Sequence, residues 1–340
     1  VSERLPRALG ASVSYSTVDG PSLKTYWMHR NLFGGAERLR LSADLFYLTT
    51  GTQSITGKKA DFKDNLGGRL AASFIKPALN GSRVDFLADA FVLRERTESY
   101  QAQIANAQAV FRYRFSDNAW IQAGLEVEHG RTEDFLGTLN YTLVGLPVTA
   151  QWDSTDNPLD PTKGFRATAN ITPYKGFGGV APTLVSSNLA LSAYYSLDEK
   201  SRYILAGRVK FASIAGGAIT SIPANRRLFA GGGGSVRGFA YRSLGPKAAT
   251  GQLIGGRSLF EASVEARIKI TDTIGLVPFV DVGNAFSSQA PNFKDLRIGA
   301  GLGLRYYTAI GPIRFDVAVP LDRRKGESPF AIYLSLGQSF

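Results

Sequence analysis

Few residues in this chain have the types and spacing that enzymatic chemistry requires. The 340 residues include no cysteine and only two histidines, His29 and His129, which stand far apart without an acidic partner at ligand spacing. The sequence contains no Gly-x-Ser-x-Gly nucleophile motif, and no pair of carboxylates is placed for acid–base catalysis. We therefore predict no enzyme, no metal site and no cofactor.

A glycine-rich segment in the second half of the chain invites a functional interpretation. The run at 231–234 could cradle a phosphate, but neither Lys-Ser nor Lys-Thr comes after it. Beyond Ser235 the chain continues as Val236-Arg237-Gly238-Phe239, which places one guanidinium on a flexible segment. We therefore expect an anchor for this segment rather than a nucleotide site.

The charges give a formal net charge of +11, from 39 basic and 28 acidic residues. A basic chain often binds nucleic acid or anionic lipid. Here the charges are dispersed and many alternate with apolar residues, as on strand faces and loops. We therefore expect no nucleic-acid partner.

The elements that must position these residues are strands, because apolar residues recur at every second position along the chain. In Ile313–Val319, for example, odd positions are apolar and even positions are polar or small. The predicted strands are 8–17, 22–31, 36–50, 66–77, 83–96, 101–115, 118–132, 140–153, 163–173, 183–196, 201–215, 257–271, 274–286, 295–308, 311–321 and 329–340.

The predicted strands are about twice the usual soluble length. With a rise of ~3.3 Å per residue and a tilt of ~40°, ten residues cover roughly 25 Å, the height of an outer-membrane apolar band. No apolar run approaches the ~20 residues of a membrane helix. The sequence therefore predicts an all-β protein in which residues 1–340 form one transmembrane antiparallel β-barrel of about sixteen strands.

Short and long connections alternate along the chain, and the longest, 216–256, is called loop six here. A barrel of about sixteen strands is too wide for its own side chains to fill, so we expect loop six to fold into the lumen. The polar strand faces then offer Arg237 three partners: Glu265, Phe279 and Asp281. The same alternation predicts which side chains face lipid (Val280, Val282, Ile298, Leu302, Phe315 and Val317) and which face the lumen (Arg208, Lys210, Glu126 and Arg305).

Several motifs together resemble the BamA/TamA superfamily of outer-membrane assembly and translocation factors. Val236-Arg237-Gly238-Phe239 resembles its loop-six signature, and Phe279-Val280-Asp281-Val282-Gly283 resembles the partner motif. Asn31–Gly35 is similar to a turn near the barrel start, and Gly311–Pro320 is most similar to the TamA type. The segment 153–164 resembles the family's periplasmic turn, with Asp153, Asp156, Asn157, Pro161 and Gly164 as its marked residues. That turn is equally well explained as structure alone.

The resemblance implies a function and partners. It implies insertion of other proteins into the outer membrane of Gram-negative bacteria, with outer-membrane lipids, unfolded clients of autotransporter type and a TamB-like inner-membrane partner. Phospholipid passage is a further implied role. The family's periplasmic POTRA domains are expected before the barrel and are absent from this chain. A two-partner secretion transporter and a passive porin are the rival interpretations.

The first and last strands are predicted to meet at a weak seam that works as a lateral gate. The first strand is short and rich in small residues, and Gly337 favours a kink near the end of the last strand. Phe340 lies on the same face of the alternation as Ile332, Leu334 and Leu336, which resembles a C-terminal outer-membrane assembly signal. A kink at Gly337 would take Gln338–Phe340 out of register. The alternative is an ordinary closed barrel. The predicted gate residues are Leu9, Gly10, Ala11, Ser12, Val13, Leu334, Leu336, Gly337 and Phe340.

Overall fold

The computed structural model describes residues 5–47, 65–178, 182–308 and 311–340, and these are mostly β-strand. No helix among them is long and apolar enough to cross a membrane. The two helices are short 3-10 turns, Leu79–Gly81 and Ile219–Ser221. The strands are β1 (Arg7–Ser16), β2 (Gly20–His29), β3 (Arg38–Tyr47), β4 (Leu66–Lys76), β5 (Val84–Arg96), β6 (Tyr100–Arg114), β7 (Ala119–Asp134), β8 (Gly137–Gly145), β9 (Val148–Asp153), β10 (Gly164–Phe177), β11 (Thr183–Ser196), β12 (Tyr203–Ala215), β13 (Ser258–Lys269), β14 (Ile274–Phe286), β15 (Arg297–Thr308), β16 (Gly311–Pro320) and β17 (Ala331–Leu336).

The strands of the described residues form one closed antiparallel sheet in which chain neighbours pair and β1 meets β17. The segments β8 and β9 are two halves of one pass, since both lie between β7 and β10. Pro147 causes the interruption because it has no N–H to donate to the ladder. Its carbonyl still accepts a hydrogen bond from Gly124, at 3.2 Å. The predicted sixteen-strand barrel is confirmed.

The two faces of the wall follow the predicted alternation. Val280 and Leu302 are exposed on the outer face, whereas Glu126 and Arg305 are buried inside the barrel. A basic side chain on the lipid face near the bilayer midplane costs ~2–4 kcal/mol, so the inward placement of these charges is expected.

The core lies between loop six and the inner face of the wall. In one cluster Val236 and Phe239 of loop six pack with Leu259 and Ala285 of β13 and β14. In another, Ile222 of loop six packs in one cluster with Tyr174 and Ile214. Loop six therefore fills part of the lumen, and burial of its apolar side chains holds it there.

Candidate functional site: the loop-six anchor and the barrel seam

Arg237 is the centre of a buried ionic cluster inside the barrel. Its Nε lies 2.6 Å from Asp281 Oδ2 and its Nη2 lies 2.7 Å from Asp281 Oδ1, so the guanidinium forms a two-point contact. Its Nη1 donates to Glu265, at 2.9 Å, and to Asp316, at 3.1 Å. The guanidinium carbon lies 3.4 Å from the centroid of the Phe279 ring. Loop six is thus tied to three strands through one side chain.

The carboxylates around Arg237 also bind arginines of the wall. Asp316 accepts from Arg305, at 2.5 Å, and from Arg314, at 2.6 Å. Glu265 accepts from Arg267, at 3.1 Å. Burial alone would lower the pKa of Arg237, but the hydrogen bonds and charges of Asp281 and the other carboxylates raise it above its ordinary value. The guanidinium therefore stays charged.

Asp316 was not among the partners predicted for Arg237. The signal was present, because Arg314 and Asp316 occupy the polar positions of the alternating segment Ile313–Val319. That alternation places both side chains in the lumen, but it does not say how deeply loop six reaches.

The other residues of the loop-six motif lock its backbone. Gly238 has φ of +96°, and a Cβ there would lie 3.0 Å from the carbonyl carbon of Val319. Its N–H donates to the hydroxyl of Tyr333 on β17, at 3.0 Å. Gly283 is equally confined, since a Cβ there would lie 2.6 Å from the Phe260 carbonyl oxygen. Glycine is therefore required at both positions, and loop six contacts the last strand directly.

A second group of loop-six arginines lies against β7 and β10. Arg226 donates to Glu126 and to Glu128, both at 2.6 Å, and to the Tyr174 hydroxyl, at 2.8 Å. Arg227 is paired with Asp134. Neither arginine was predicted as a site residue, because two adjacent basic residues in the sequence do not indicate how a connection of about forty residues turns.

The turn between β9 and β10, which the sequence predicts to be periplasmic, is built around Asp156. Its carboxylate accepts hydrogen bonds from the Thr162 N–H, at 2.9 Å, the Thr162 hydroxyl, at 2.5 Å, and the Lys163 N–H, at 3.2 Å. Although partial burial acts to raise its pKa, these bonds lower the pKa of Asp156 below its ordinary value.

The remaining acidic and amide residues of the turn also bond locally. Asp153 accepts from the Thr155 hydroxyl, at 2.6 Å, and from Arg166 Nε, at 2.7 Å. Asn157 Oδ1 accepts from the Leu159 N–H, at 2.9 Å. These contacts are those of ordinary turn-forming side chains.

Other residues of the turn contact the rest of the barrel. Gly164 has φ of +96°, and a Cβ there would lie 2.3 Å from the Ser154 carbonyl oxygen. Pro161 is buried, and Asp160 accepts a hydrogen bond from Gln338 Nε2, at 2.9 Å. The turn thus bonds to residues that lie beyond the end of the last strand.

The seam between β1 and β17 is short. Only two residue pairs align across it among the described residues, Tyr15 with Leu334 and Ser16 with Tyr333. Thr17 extends it through its N–H, which donates to the Ile332 carbonyl at 3.1 Å. By comparison, β1 and β2 align over ten pairs. The predicted gate residues Leu9–Val13 pair with β2 and with no described residue of β17.

The chain turns inward after β17, at Gly337, which has φ of +94°. Gln338 accepts from Arg305 Nε, at 3.0 Å, and Phe340 O accepts from Arg267 Nη2, at 2.9 Å. The Phe340 ring lies 6.4 Å from that of Tyr194 in the lumen. The expectation that Phe340 shares a face with Leu334 and Leu336 is therefore wrong. The predicted kink at Gly337 is present, because the left-handed backbone there ends the strand alternation.

The two histidines lie apart on the outer face, and His129 Nδ1 is 2.9 Å from the Thr142 hydroxyl. No group of three or more metal-ligating side chains occurs within the described part of the chain.

A model of the Omp85 superfamily domain matches residues 31–340. The outer membrane protein assembly factor BamA of Nitratidesulfovibrio vulgaris is 26% identical over 360 residues, with 100% of this chain and 42% of that protein covered. BamA of Neisseria meningitidis serogroup B is 25% identical over 249 residues, with 63% and 31% covered. The chain thus spans less than half the length of these curated relatives.

Solved structures share the fold. The crystal structure of BamA from Haemophilus ducreyi lacking POTRA domains 1-3 matches with a TM-score of 0.76 and 19% identity over 99% of this chain and 71% of that one. CdiB from Acinetobacter baumannii matches with a TM-score of 0.66 and 15% identity over 98% and 60%. Both curated relatives are named BamA, and neither carries the narrower TamA-type assignment that the motifs suggested. Because the superfamily model covers most of the chain, the protein belongs to the Omp85 superfamily and is an integral β-barrel of the bacterial outer membrane.

Proposed function

We propose that this barrel inserts other proteins into the outer membrane through a lateral gate between β1 and β17. The observation that carries the proposal is the seam, in which β1 aligns with β17 over two residue pairs and with β2 over ten. An unpaired backbone group in hydrocarbon costs several kcal/mol, so a seam this short is a weak point of the wall. The membrane itself favours pairing of this edge with any available strand.

A client strand is the partner that satisfies this edge. Residues Arg7–Ser14 of β1 have no partner on β17 among the described residues. The backbone N–H and C=O groups on this edge of β1 can template an incoming strand by β-augmentation. Tyr333 contacts Gly238 of loop six, so movement of β17 is coupled to loop six. The relatives named as assembly factors support the same function.

Folding of a client in liposomes tests the proposal. A urea-denatured outer-membrane β-barrel protein serves as the client and is diluted onto vesicles that contain either the purified full-length protein or no protein. The folded fraction of the client is quantified by its heat-modifiable mobility in gel electrophoresis. We expect faster folding with the protein present. Equal rates in both vesicle preparations would contradict the assembly function.

A finer proposal is that the protein acts as a TamA-type factor, with a TamB-like inner-membrane partner, autotransporter-like clients and a role in phospholipid passage. Its support is the similarity of Gly311–Pro320 to the TamA type. Crosslinking in cells tests it, since a TamB-like protein should be recovered with the full-length protein. Recovery of other partners alone would leave general outer-membrane assembly as the function.

The porin alternative requires an open lumen. Loop six occupies the lumen through the buried residues Ile222, Val236 and Arg237, which argues against a permanent channel. A two-partner secretion transporter would conduct ions when its plug leaves. Planar-bilayer recording distinguishes these alternatives, and we expect rare, short conductance events from the intact protein.

A further inference from the structure

The outer face of β5–β8 carries a row of polar side chains near the extracellular ends of the strands. The register aligns them as cross-strand neighbours, and all four are exposed. Their outward direction is set by the residues beside them, since Ile104 packs inside the barrel and Thr132 accepts a hydrogen bond from Ala224 of loop six. The row consists of Arg94 on β5, Gln103 on β6, Arg131 on β7 and Asn140 on β8.

Below this polar row the same face becomes apolar and small. Ala90 and Ala107 lie opposite each other two rows down, and Ala72 and Ala105 adjoin them. These alanines lie at the floor of a trough of about 1150 Å³ on the outer wall, edged by Leu9, Trp27 and other large side chains. A second hollow of about 670 Å³ includes Arg94 and Arg131 in its lining and shares Leu70, Val92, Ala105 and His129 with the first. Together they form a continuous surface with a cationic end and an apolar floor.

The positions of aromatic and basic side chains along β5 also locate this surface in the membrane. Phe86 and Phe111 pack against each other across β5 and β6 at the periplasmic end, with tilted rings whose centroids are 5.4 Å apart. Eight residues separate Phe86 from Arg94, which corresponds to ~26 Å along the strand and ~20 Å along a membrane normal at ~40° tilt. The alanine floor therefore lies at acyl-chain depth, and the arginines lie at the outer headgroup level. An exposed cation on the lipid face is tolerated at headgroup level, and a lipid phosphate stabilises it by electrostatic attraction.

The opposite wall has a different upper end. Phe211 on β12 and Phe260 on β13 are cross-strand neighbours with ring centroids 5.1 Å apart, and Phe293 packs on Phe260 at the same distance. A smaller hollow of about 420 Å³ lies below them and includes Ala262. A hollow thus occurs on both walls, but on this wall the residues above it are aromatic rather than cationic.

We propose that the surface formed by the polar row and the alanine trough binds an anionic, multiply acylated lipid of the outer leaflet, with a headgroup phosphate between Arg94 and Arg131. Charge complementarity selects the phosphate. The trough includes residues from β1 to β7, six inter-strand spacings of ~4.8 Å or about 29 Å in all, which accommodates several acyl chains side by side. Lipid A has this chemistry.

Native mass spectrometry of the purified full-length protein in detergent tests the proposal. The probes are hexa-acylated lipid A, the same lipid without phosphates, and phosphatidylglycerol. We expect phosphorylated lipid A to bind most tightly. Arg131→Gln should weaken it about fivefold and Arg94→Gln with Arg131→Gln about 25-fold, since each cation near an anionic headgroup contributes a factor of about five. Arg202→Gln, the same charge change at the periplasmic end, should have no effect.

Filling the trough tests the acyl-chain part separately. Ala90→Leu with Ala107→Leu should weaken lipid A binding about tenfold, because the added side chains occupy acyl-chain space. Ala262→Leu, which fills the hollow of the opposite wall, is the matched control and should bind normally. Heat-modifiable mobility verifies that each variant is folded. Unchanged affinity in the double arginine variant, or equal affinity for phosphatidylglycerol, would overturn the assignment.

Discussion

Asp281 accepts three hydrogen bonds from Arg237: from Nε at 2.6 Å, from Nη2 at 2.7 Å and from the backbone N–H at 3.0 Å. The two nitrogens of the guanidinium match the two oxygens of the carboxylate, and the backbone bond fixes the position of the loop itself. Both side chains are almost completely buried, with 1% and 0% of their surfaces exposed. Asp281 on β14 therefore holds both the side chain and the backbone of Arg237 in loop six.

Arg237→Ala should destabilise the barrel by about 3–5 kcal/mol, because it leaves three buried carboxylates without their shared cation. Arg237→Lys should lose less, since a lysine keeps the charge but cannot make the two-point contact. Thermal unfolding followed by heat-modifiable mobility measures both variants. A wild-type midpoint for Arg237→Ala would contradict the anchoring role.

Much of the wall and the kink at Gly337 could be predicted from the sequence, whereas the detailed path of loop six and the inward direction of the last residues could not. Strand alternation determines which face a residue takes, so Arg305 and Val280 were placed correctly. Strand alternation does not predict the direction of a side chain once the backbone leaves the strand. A single positive φ at Gly337 brought Phe340 inside the barrel, and no periodic pattern encodes how Arg226 reaches Glu126.

A disulfide across the seam should stop client folding. We predict that Tyr15→Cys with Leu334→Cys, which replaces directly opposed residues, abolishes client folding in liposomes when oxidised and restores it when reduced. The chain has no native cysteine, so the introduced pair cannot exchange with another within it.

The hairpin of β1 and β2 supplies the matched control for this lock. Ser14 and Ser22 are directly opposed, with hydroxyls 2.5 Å apart, and their replacement by cysteines links strands that stay paired throughout. The oxidised control should retain activity. Full activity of the locked seam variant would show that this seam is not the gate.

Gly337 should determine on which side of the wall the last residue lies. In Gly337→Val a β-branched residue must adopt φ near +94°, which is strongly disfavoured, so the backbone should extend and carry residue 340 toward lipid. Phe340→Trp reports this change through quenching by brominated lipids. We expect little quenching with Gly337 and strong quenching with valine.

The outward-facing position 334 gives the control for this measurement. Leu334→Trp should be quenched equally with either residue at 337, since Leu334 already faces outward. Equal protection of the Phe340→Trp indole in both backgrounds would mean that Arg267 and Arg305, rather than Gly337, hold the tail inside.

Asp19 should make the contact between loop six and the β1–β2 connection dependent on pH. Burial raises the pKa of Asp19 to about 6, although the Gly233 and Tyr241 amides lower it and the charge of Glu98 adds to the rise. The folded protein then holds the proton more tightly than the unfolded chain does. Ionisation therefore costs stability, with the cost absent below about pH 4 and complete above about pH 7.

Asp19→Asn should thus stabilise the barrel at pH 8, by at least about 1 kcal/mol, and have little effect at pH 4. The amide oxygen can still accept the bond from the Gly233 N–H, which lies 3.3 Å from the native carboxylate, while the buried charge is removed. Unfolding midpoints at the two pH values measure the difference between variant and wild type. Asp117→Asn, in the exposed turn between β6 and β7, controls for loss of a negative charge and should behave like the wild type. A variant less stable than the wild type at pH 8 would mean that the ionised carboxylate contributes favourably here, through Gly233 and its neighbours, and that burial is not the dominant effect.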